Sequence, residues 1–378
     1  MRWWRGPERR GRAVAAILVP SLFAGDATGN DALAMARILG DAGWDVRLVA
    51  ENAGPGIDFV PAGEAGRLLA RPSTLVVYHQ STWWDRGLHL LRGARGPRVV
   101  RDHNVTPAGF FAGVHPDFVR AAEGGAEQRA RVAREPGVMF LAASRTNARE
   151  LRSLGADPSR LRVVPPFHRA EDLAGASPDE PALRRWSRGG PTVIFVGRIA
   201  PHKGHLRMLR VAALHAELFG EPVGLRLVGS FDPRWTRWRA AVDRAVRRLG
   251  LVDRVEIVGP VSESELKSAY LTAHAMLCCS EHEGFCVPLV EAARLGVPVV
   301  AARQPAVADT LGPEGLVIDG DDDLLATALH RVLHDADLRE KLVLAQRARY
   351  DALWAPEVLE RGFLDALGPL ARPPVAGA

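Results

Sequence analysis

Short runs rich in Val, Ile and Leu recur along this chain, and helix-length segments with an apolar stripe fall between them. The runs lie at 14–19, 46–50, 75–78, 98–101, 139–143 and 161–164, then at 192–196, 225–228, 255–258, 275–278, 297–301 and 316–318. Helical patterns occupy 32–42, 206–218, 235–249, 263–272 and 289–295. A strand that is apolar on both faces must be covered on both, and a helix joining two parallel strands does the covering. The alternation therefore predicts an α/β protein with parallel sheets. Such sheets bind ligands beyond the carboxyl ends of their strands.

The chain has 378 residues, enough for two cores, and the series breaks once, in the stretch EDLAGASPDEPALRRWSRGG at 171–190. That break predicts an N-terminal domain over 1–170, a linker over 171–190 and a C-terminal domain over 191–355. Two similar halves of this size would face each other across a cleft. A helix over about 356–371 is expected to pack back on the first domain, with 372–378 as a tail. Residues 1–12, MRWWRGPERRGR, with the apolar run 13–24, imitate a signal peptide. Yet 14–19 closes on Pro20 and a Gly-bearing turn, so it reads as a buried strand. No run reaches the ~18 apolar residues that a membrane-spanning helix needs.

Composition narrows the partners. Lys and Arg number 49 against 44 acidic residues, an excess too mild for a nucleic-acid coat. Cys278, Cys279 and Cys286 are an odd set without a C-x-x-C, which argues against a disulfide framework and for a reducing cytoplasm. The sequence shows no H-E-x-x-H, clustered His/Cys or D-x-D placed for a metal, so neither a metal nor another cofactor is expected. G-x-S-x-G and a P-loop are also absent, against a serine hydrolase or NTPase. The basic helical pattern 234–248 carries Trp235 and Trp238, and Trp3 and Trp4 sit among arginines. Both allow peripheral contact with an acidic membrane surface, although 234–248 fits an amphipathic helix packed on a sheet better.

Two motifs point to chemistry. In TVIFVGRIAPHKG, at 192–204, a strand delivers the chain to Gly197 and Arg198, and Lys203 follows five residues on. The chain has only two other lysines, Lys267 and Lys341. Two cations at a strand's carboxyl end can converge on a diphosphate, through charge-assisted bonds of ~1.5–3 kcal/mol each. Alone, the turn reads equally as a solvated basic turn. In EHEGFCVPLVEAARLGVPVV, at 281–300, Glu283 and Glu291 are separated by seven residues, with Pro288 placed to open a helix. Glu291 is expected in that helix's first turn and Glu283 in the loop, leaving the amides of Gly284, Phe285 and Cys286 to face an anion. Carboxylates accept bonds from paired hydroxyls, so such a site suits a nucleoside-diphosphate sugar; simple acidity at a helix start is the blander reading.

The first half offers less. GDATGND, at 25–31, places Gly25 and Gly29 in a strand-to-helix turn but is not a G-x-G-x-x-G. His79 and His103 fall at predicted strand ends, where polar contacts to substrate accumulate. His103, flanked by Asn104 and Thr106, is the better candidate for contact near a reacting sugar.

Together these residues resemble the retaining glycosyltransferases of family 4, which have the GT-B fold. The motifs G-R-x4-K-G and E-x7-E stand in the family's order and spacing, and GDATGND, HNVTPAGFF and SRTNARELRSLG look like a bacterial subgroup associated with surface polysaccharides. The resemblance implies that Arg198 and Lys203 bind the donor diphosphate and that Glu291 holds the ribose. Glu283 would hold the transferred sugar, and backbone at Val258, Gly259 and Pro260 would meet the base. Gly197, Gly229, Gly284, Phe285, Cys286 and Val287 would line the donor, while Gly29 and His103 approach from the first domain. Many family members have adjacent glycines in the first turn, whereas Gly25 and Gly29 are spaced. The implied activity is metal-independent transfer of a sugar from a GDP- or UDP-sugar to a saccharide or lipid-linked acceptor. It would take place in the cytoplasm, at the inner face of the membrane if the acceptor is lipid-linked. A silent nucleotide-sugar-binding protein and a nucleotide-sugar epimerase on the same scaffold are the rivals.

Overall fold

Val14–Leu18 is a strand whose five residues are all buried, as the run of small and branched apolar side chains requires. The structure, a computed structural model, describes residues 13–23 and 25–374. The N-terminal segment bearing Trp3 and Trp4, Ala24 and the tail residues 375–378 lie outside the described residues.

The strands form two larger parallel sheets in two compact units. The first sheet runs, edge to edge, Val60–Pro61, Asp45–Ala50, Val14–Leu18, Leu75–Gln80, Arg98–Asp102, Val138–Ala142 and Leu161–Val163. The second runs Val255–Gly259, Gly224–Val228, Thr192–Val196, Ala275–Cys278, Val299–Ala302 and Leu316–Ile318. In both, the chain lays its first three strands outward on one side and then returns to the other side of the first strand. The order reverses between Val14–Leu18 and Leu75–Gln80 in one sheet, and between Thr192–Val196 and Ala275–Cys278 in the other. Loops leaving two strands at such a reversal diverge to opposite faces, which opens a crevice at their carboxyl ends.

The units are not simple halves of the chain. One comprises Met1–Ala108, Arg120–His168 and Pro356–Ala378; the other comprises Gly109–Val119 and Arg169–Ala355. The stretch 171–190, expected as a linker, contributes to the helices Ala170–Gly175 and Glu180–Trp186. Leu173, Ala182 and Trp186 are buried in the second unit's core, and Asp179 caps the second helix by accepting from the Ala182 N–H. Turn-forming residues dominate that stretch, so three well-spaced apolar anchors were masked by their neighbours. Within the second unit, Phe118 meets the Trp235 ring edge-on at 5.0 Å. The helix Pro356–Leu367 lies in the first unit, where Phe363 packs against Phe167 and Arg37 pairs with Glu360. No helix among the described residues is long and apolar enough to cross a membrane.

Candidate functional site

The reversal in the second sheet brings the two sequence motifs together. Thr192–Val196 ends at Gly197, and Ala275–Cys278 ends at Cys279 and Ser280, so loops some eighty residues apart in sequence leave neighbouring strands. A short turn, Pro201–Lys203, follows the first strand and closes on Gly204. Gly204 has φ 69°, and a Cβ there would lie 1.9 Å from the Cys279 carbonyl oxygen. Only glycine allows that approach. The turn is clamped a second time: the N–H groups of Glu281 and His282 both donate to the His202 carbonyl, at 2.8 and 3.3 Å.

These contacts set Lys203 against Glu283. Lys203 Nζ lies 2.7 Å from Glu283 Oε1 and 2.8 Å from Oε2, with both side chains largely buried. Burial disfavours the ammonium, but Glu283 outweighs it and holds the Lys203 pKa above its usual value. Arg198 is exposed, and among the described residues its guanidinium has no hydrogen-bond or ion-pair partner. Its positive charge repels the Lys203 ammonium and acts, more weakly than Glu283, to lower that group's pKa. His202, between them in sequence, is buried and pushed down to about 2, first by burial and then by Lys203 and Arg198, which keeps it neutral.

Beyond Glu283 the backbone is left open. Among the described residues no acceptor meets the N–H groups of Gly284, Phe285 and Cys286. Cys286 has φ 79°, a left-handed conformation that a non-glycine residue adopts only under constraint, and the helix Val287–Leu295 starts immediately after it. Pro288 is therefore that helix's second residue, and Glu291 falls in its second turn instead of its first. Glu291 Oε2 accepts from the Tyr270 hydroxyl at 2.7 Å, and burial raises its pKa against the lowering effect of that bond. The Phe285 ring is buried near Trp354 and its carbonyl accepts from the Thr310 hydroxyl at 2.6 Å. On the other side, Gly197, Gly229 and Gly259 stand at or just past the ends of three adjacent strands. A Cβ on Gly229 would lie 1.9 Å from the Gly197 carbonyl oxygen, so the chain is bare there by necessity. Val258 is half-buried in the edge strand and Pro260 is exposed beside it.

The remaining candidates belong to the first unit. Gly29 is buried in the first turn of the helix Ala27–Asp41, where its N–H donates to the capping Asp26 and a Cβ would strike the Phe23 carbonyl at 2.0 Å. Local packing thus accounts for glycine at 29. His103 follows the strand Arg98–Asp102, and its Nε2 lies 2.9 Å from His79 Nδ1 and 3.4 Å from Asp31 Oδ2. Burial, aided by Arg101 and opposed by Asp31, pushes His103 down to about 4. Asp31 itself is fully buried and bonds Arg101 at 2.7 and 3.3 Å. Sequence reasoning missed Asp31, Arg101, Tyr270 and His202. A signal existed for Arg101: an arginine inside the buried run RVVRD demands a partner.

Trp235 and Trp238 on the helix Thr236–Arg248 side are buried, so they are core residues and not membrane anchors. A cavity of about 610 Å³, lined by Phe110, Val114, Pro201, Trp238 and Arg244 among others, lies beside the turn that carries Lys203.

Two parallel-sheet units of this kind match the GT-B fold of solved glycosyltransferase structures. Residues 179–349 match the family model described as Glycosyl transferases group 1. A D-inositol 3-phosphate glycosyltransferase of Acidothermus cellulolyticus is 34% identical over 218 residues, 52% of this chain and 46% of that protein. A GDP-mannose:cellobiosyl-diphosphopolyprenol alpha-mannosyltransferase of Xanthomonas oryzae pv. oryzae is 29% identical over 51% of this chain and 50% of its own. The chain spans about half the length of the curated relatives it matches. Among solved structures, Anabaena Alr3699/HepE in complex with UDP-glucose matches with a TM-score of 0.74 at 15% identity, over 94% of this chain and 100% of that one. A sucrose-phosphate synthase from Thermosynechococcus elongatus matches at 0.73 and 20% identity, over 95% of this chain and 99% of its own.

Proposed function

We propose that this protein is a retaining, metal-independent glycosyltransferase of family 4, moving a sugar from a GDP- or UDP-sugar to a saccharide or lipid-linked acceptor. The observation that carries the reading is the Lys203–Glu283 pair at the reversal of the second sheet, flanked by an unpartnered Arg198 and by three free N–H groups. Breaking the bond between the sugar's C1 and the phosphate oxygen sends its electron pair to the departing diphosphate. Positive groups fixed in advance at that point lower the barrier without reorganising in the reaction. Arg198 and Lys203 receive the diphosphate, Glu283 orients the sugar hydroxyls and Glu291 binds the ribose. His103 is a neutral donor or acceptor for the sugar. The acceptor hydroxyl forms its bond to C1 on the face the diphosphate leaves, and its proton passes to a phosphate oxygen, so retention needs no protein nucleophile.

A role in cell-surface polysaccharide synthesis, at the cytoplasmic face of the membrane, draws support from the relative whose name includes a diphosphopolyprenol-linked saccharide. A thermal-shift panel of UDP- and GDP-sugars, with and without magnesium, followed by a transfer assay with the stabilising donor, tests the proposal. The expected result is stabilisation by one donor class independent of magnesium, and transfer with retained anomeric configuration. Donor binding without transfer or hydrolysis would instead point to a silent binding protein, and release of an altered free sugar to an epimerase.

A further inference from the structure

A second constellation of ligating side chains lies away from the Lys203–Glu283 pair. His330 and His334 are one turn apart on the helix Asp322–His334. Glu221 stands just past the end of the helix His205–Phe219, brought there by the left-handed Gly220. Ligand atoms of Glu221, His330 and His334 all lie within 4.8 Å of one another. His334 Nε2 is 2.7 Å from Glu221 Oε2. We propose that these three residues form a binding site for a borderline divalent transition-metal ion, zinc foremost. It joins the last turn of one helix to the end of the other.

Two imidazoles and one carboxylate are the donor set that zinc, nickel, cobalt and copper favour over calcium or magnesium. Two histidines at i and i+4 present their nitrogens on one helix face, so one ion reaches both. The geometry is held in advance. The His330 ring stacks on Phe219 with centroids 3.8 Å apart and planes 7° apart, and its Nδ1 is buried without a partner. His215 stands behind it with centroids 5.3 Å apart. His215 Nδ1 donates to the Glu221 carbonyl at 2.8 Å, which fixes the backbone of the carboxylate ligand. His334 and Glu221 are 44% and 51% exposed, so water can complete the coordination shell and ions can enter from solvent.

The other grouping with suitable donors, Asp31, His79 and His103, differs in one respect. Both Asp31 oxygens already bond the Arg101 guanidinium, and one also accepts the Phe167 N–H. A cation there would face a fixed positive charge.

Zinc chloride titrated calorimetrically into the full chain, without an affinity tag, tests the site. One saturable ion per chain is expected, with a Tm rise of roughly 5 °C at a hundredfold excess over Kd. His330→Ala and His334→Ala should each weaken binding at least tenfold and Glu221→Gln less. With copper, the paramagnetic resonance spectrum should show coupling to two nitrogens. Absence of saturable binding in the folded wild-type chain would overturn the proposal. So would unchanged affinity in a His330→Gln/His334→Gln double variant whose circular dichroism matches wild type, since the ion would then be bound elsewhere.

Discussion

Both sheets reverse between their first and fourth strands, and each has a charged cluster near that place. In the first unit Asp31 and Arg101 are fully buried and bond each other twice, and the Phe167 N–H and Val164 carbonyl take further positions. His79 and His103 close the cluster as neutral rings. In the second unit Lys203 meets Glu283, but Arg198 adds an exposed cation, and the loop beyond Glu283 leaves its N–H groups open. The same topology thus supplies two crevices that differ by one cation without an ion-pair partner among the described residues. In one, the Asp31–Arg101 pair is internally satisfied and holds a shape, with His103 partly exposed at its edge; the other leaves the Arg198 guanidinium without an ion-pair partner among the described residues.

The contrast is most exposed to failure in stability. Removing one partner of a fully buried ion pair strands the other, which costs about 3–5 kcal/mol. Arg101→Ala should lower unfolding free energy in urea by about that much. Arg198→Ala removes an unpartnered surface charge and should change it by less than about 0.5 kcal/mol. Equal effects would dissolve the distinction between a sealed and an open cluster.

Activity should invert that ranking. If Lys203 serves the departing diphosphate as proposed, Lys203→Ala should cut turnover by roughly 10²–10³-fold, with Glu283→Ala comparable. A single-turnover transfer assay on variants of native circular dichroism reads this, and wild-type turnover in either variant would sink the role given to the pair.

Much of this was legible before any fold was seen. The continuous apolar runs alternating with helical stretches pointed to parallel sheets, and Gly197, Arg198 and Lys203 stood after a strand where a crevice belongs. What the spacing could not reveal was pairing across the chain. Lys203 and Glu283 are eighty residues apart, and only the strand order makes them neighbours. The helix start at Val287 depends on one strained residue, Cys286, which no propensity foretells. Likewise, His330 and His334 show an i, i+4 spacing in the sequence, but Glu221 joins them only through packing of two helices.

The sealed cluster also fixes a pH dependence. His103 titrates at about 4 in the fold, below its unfolded value of about 6.5, so between these limits the unfolded chain binds the extra proton. Stability contributed by keeping His103 neutral is therefore complete above pH 6.5 and is lost as pH falls toward 4. Each unit of pH in that window should remove about 1.4 kcal/mol on this group's account. His103→Gln should flatten the slope of urea stability against pH between 5 and 6 by that amount. An unchanged slope would mean that the ring is as solvated as in the unfolded chain.

The smallest expected effect separates the two regions by their strain. Asn104 and Cys286 are the non-glycine residues at positive φ among the described residues, at 72° and 79°. Asn104 tolerates the conformation because its side chain is anchored: Nδ2 donates to Asn147 and Glu150, and Oδ1 accepts from the Val105 N–H. Cys286 is buried, its thiol bonds Cys278 and its carbonyl accepts from the Leu289 N–H at 3.1 Å, but no side-chain bond to its own turn offsets its positive φ. Glycine at 104 should therefore destabilise the fold by ~1–3 kcal/mol, through lost bonds to buried groups. Glycine at 286 should relieve strain and gain up to ~1 kcal/mol, offset in part by the small cavity left by the thiol. If Cys286→Gly instead loses as much as Asn104→Gly, the backbone at 286 is not strained. The open N–H groups before the helix would then owe their orientation to side-chain packing around the thiol.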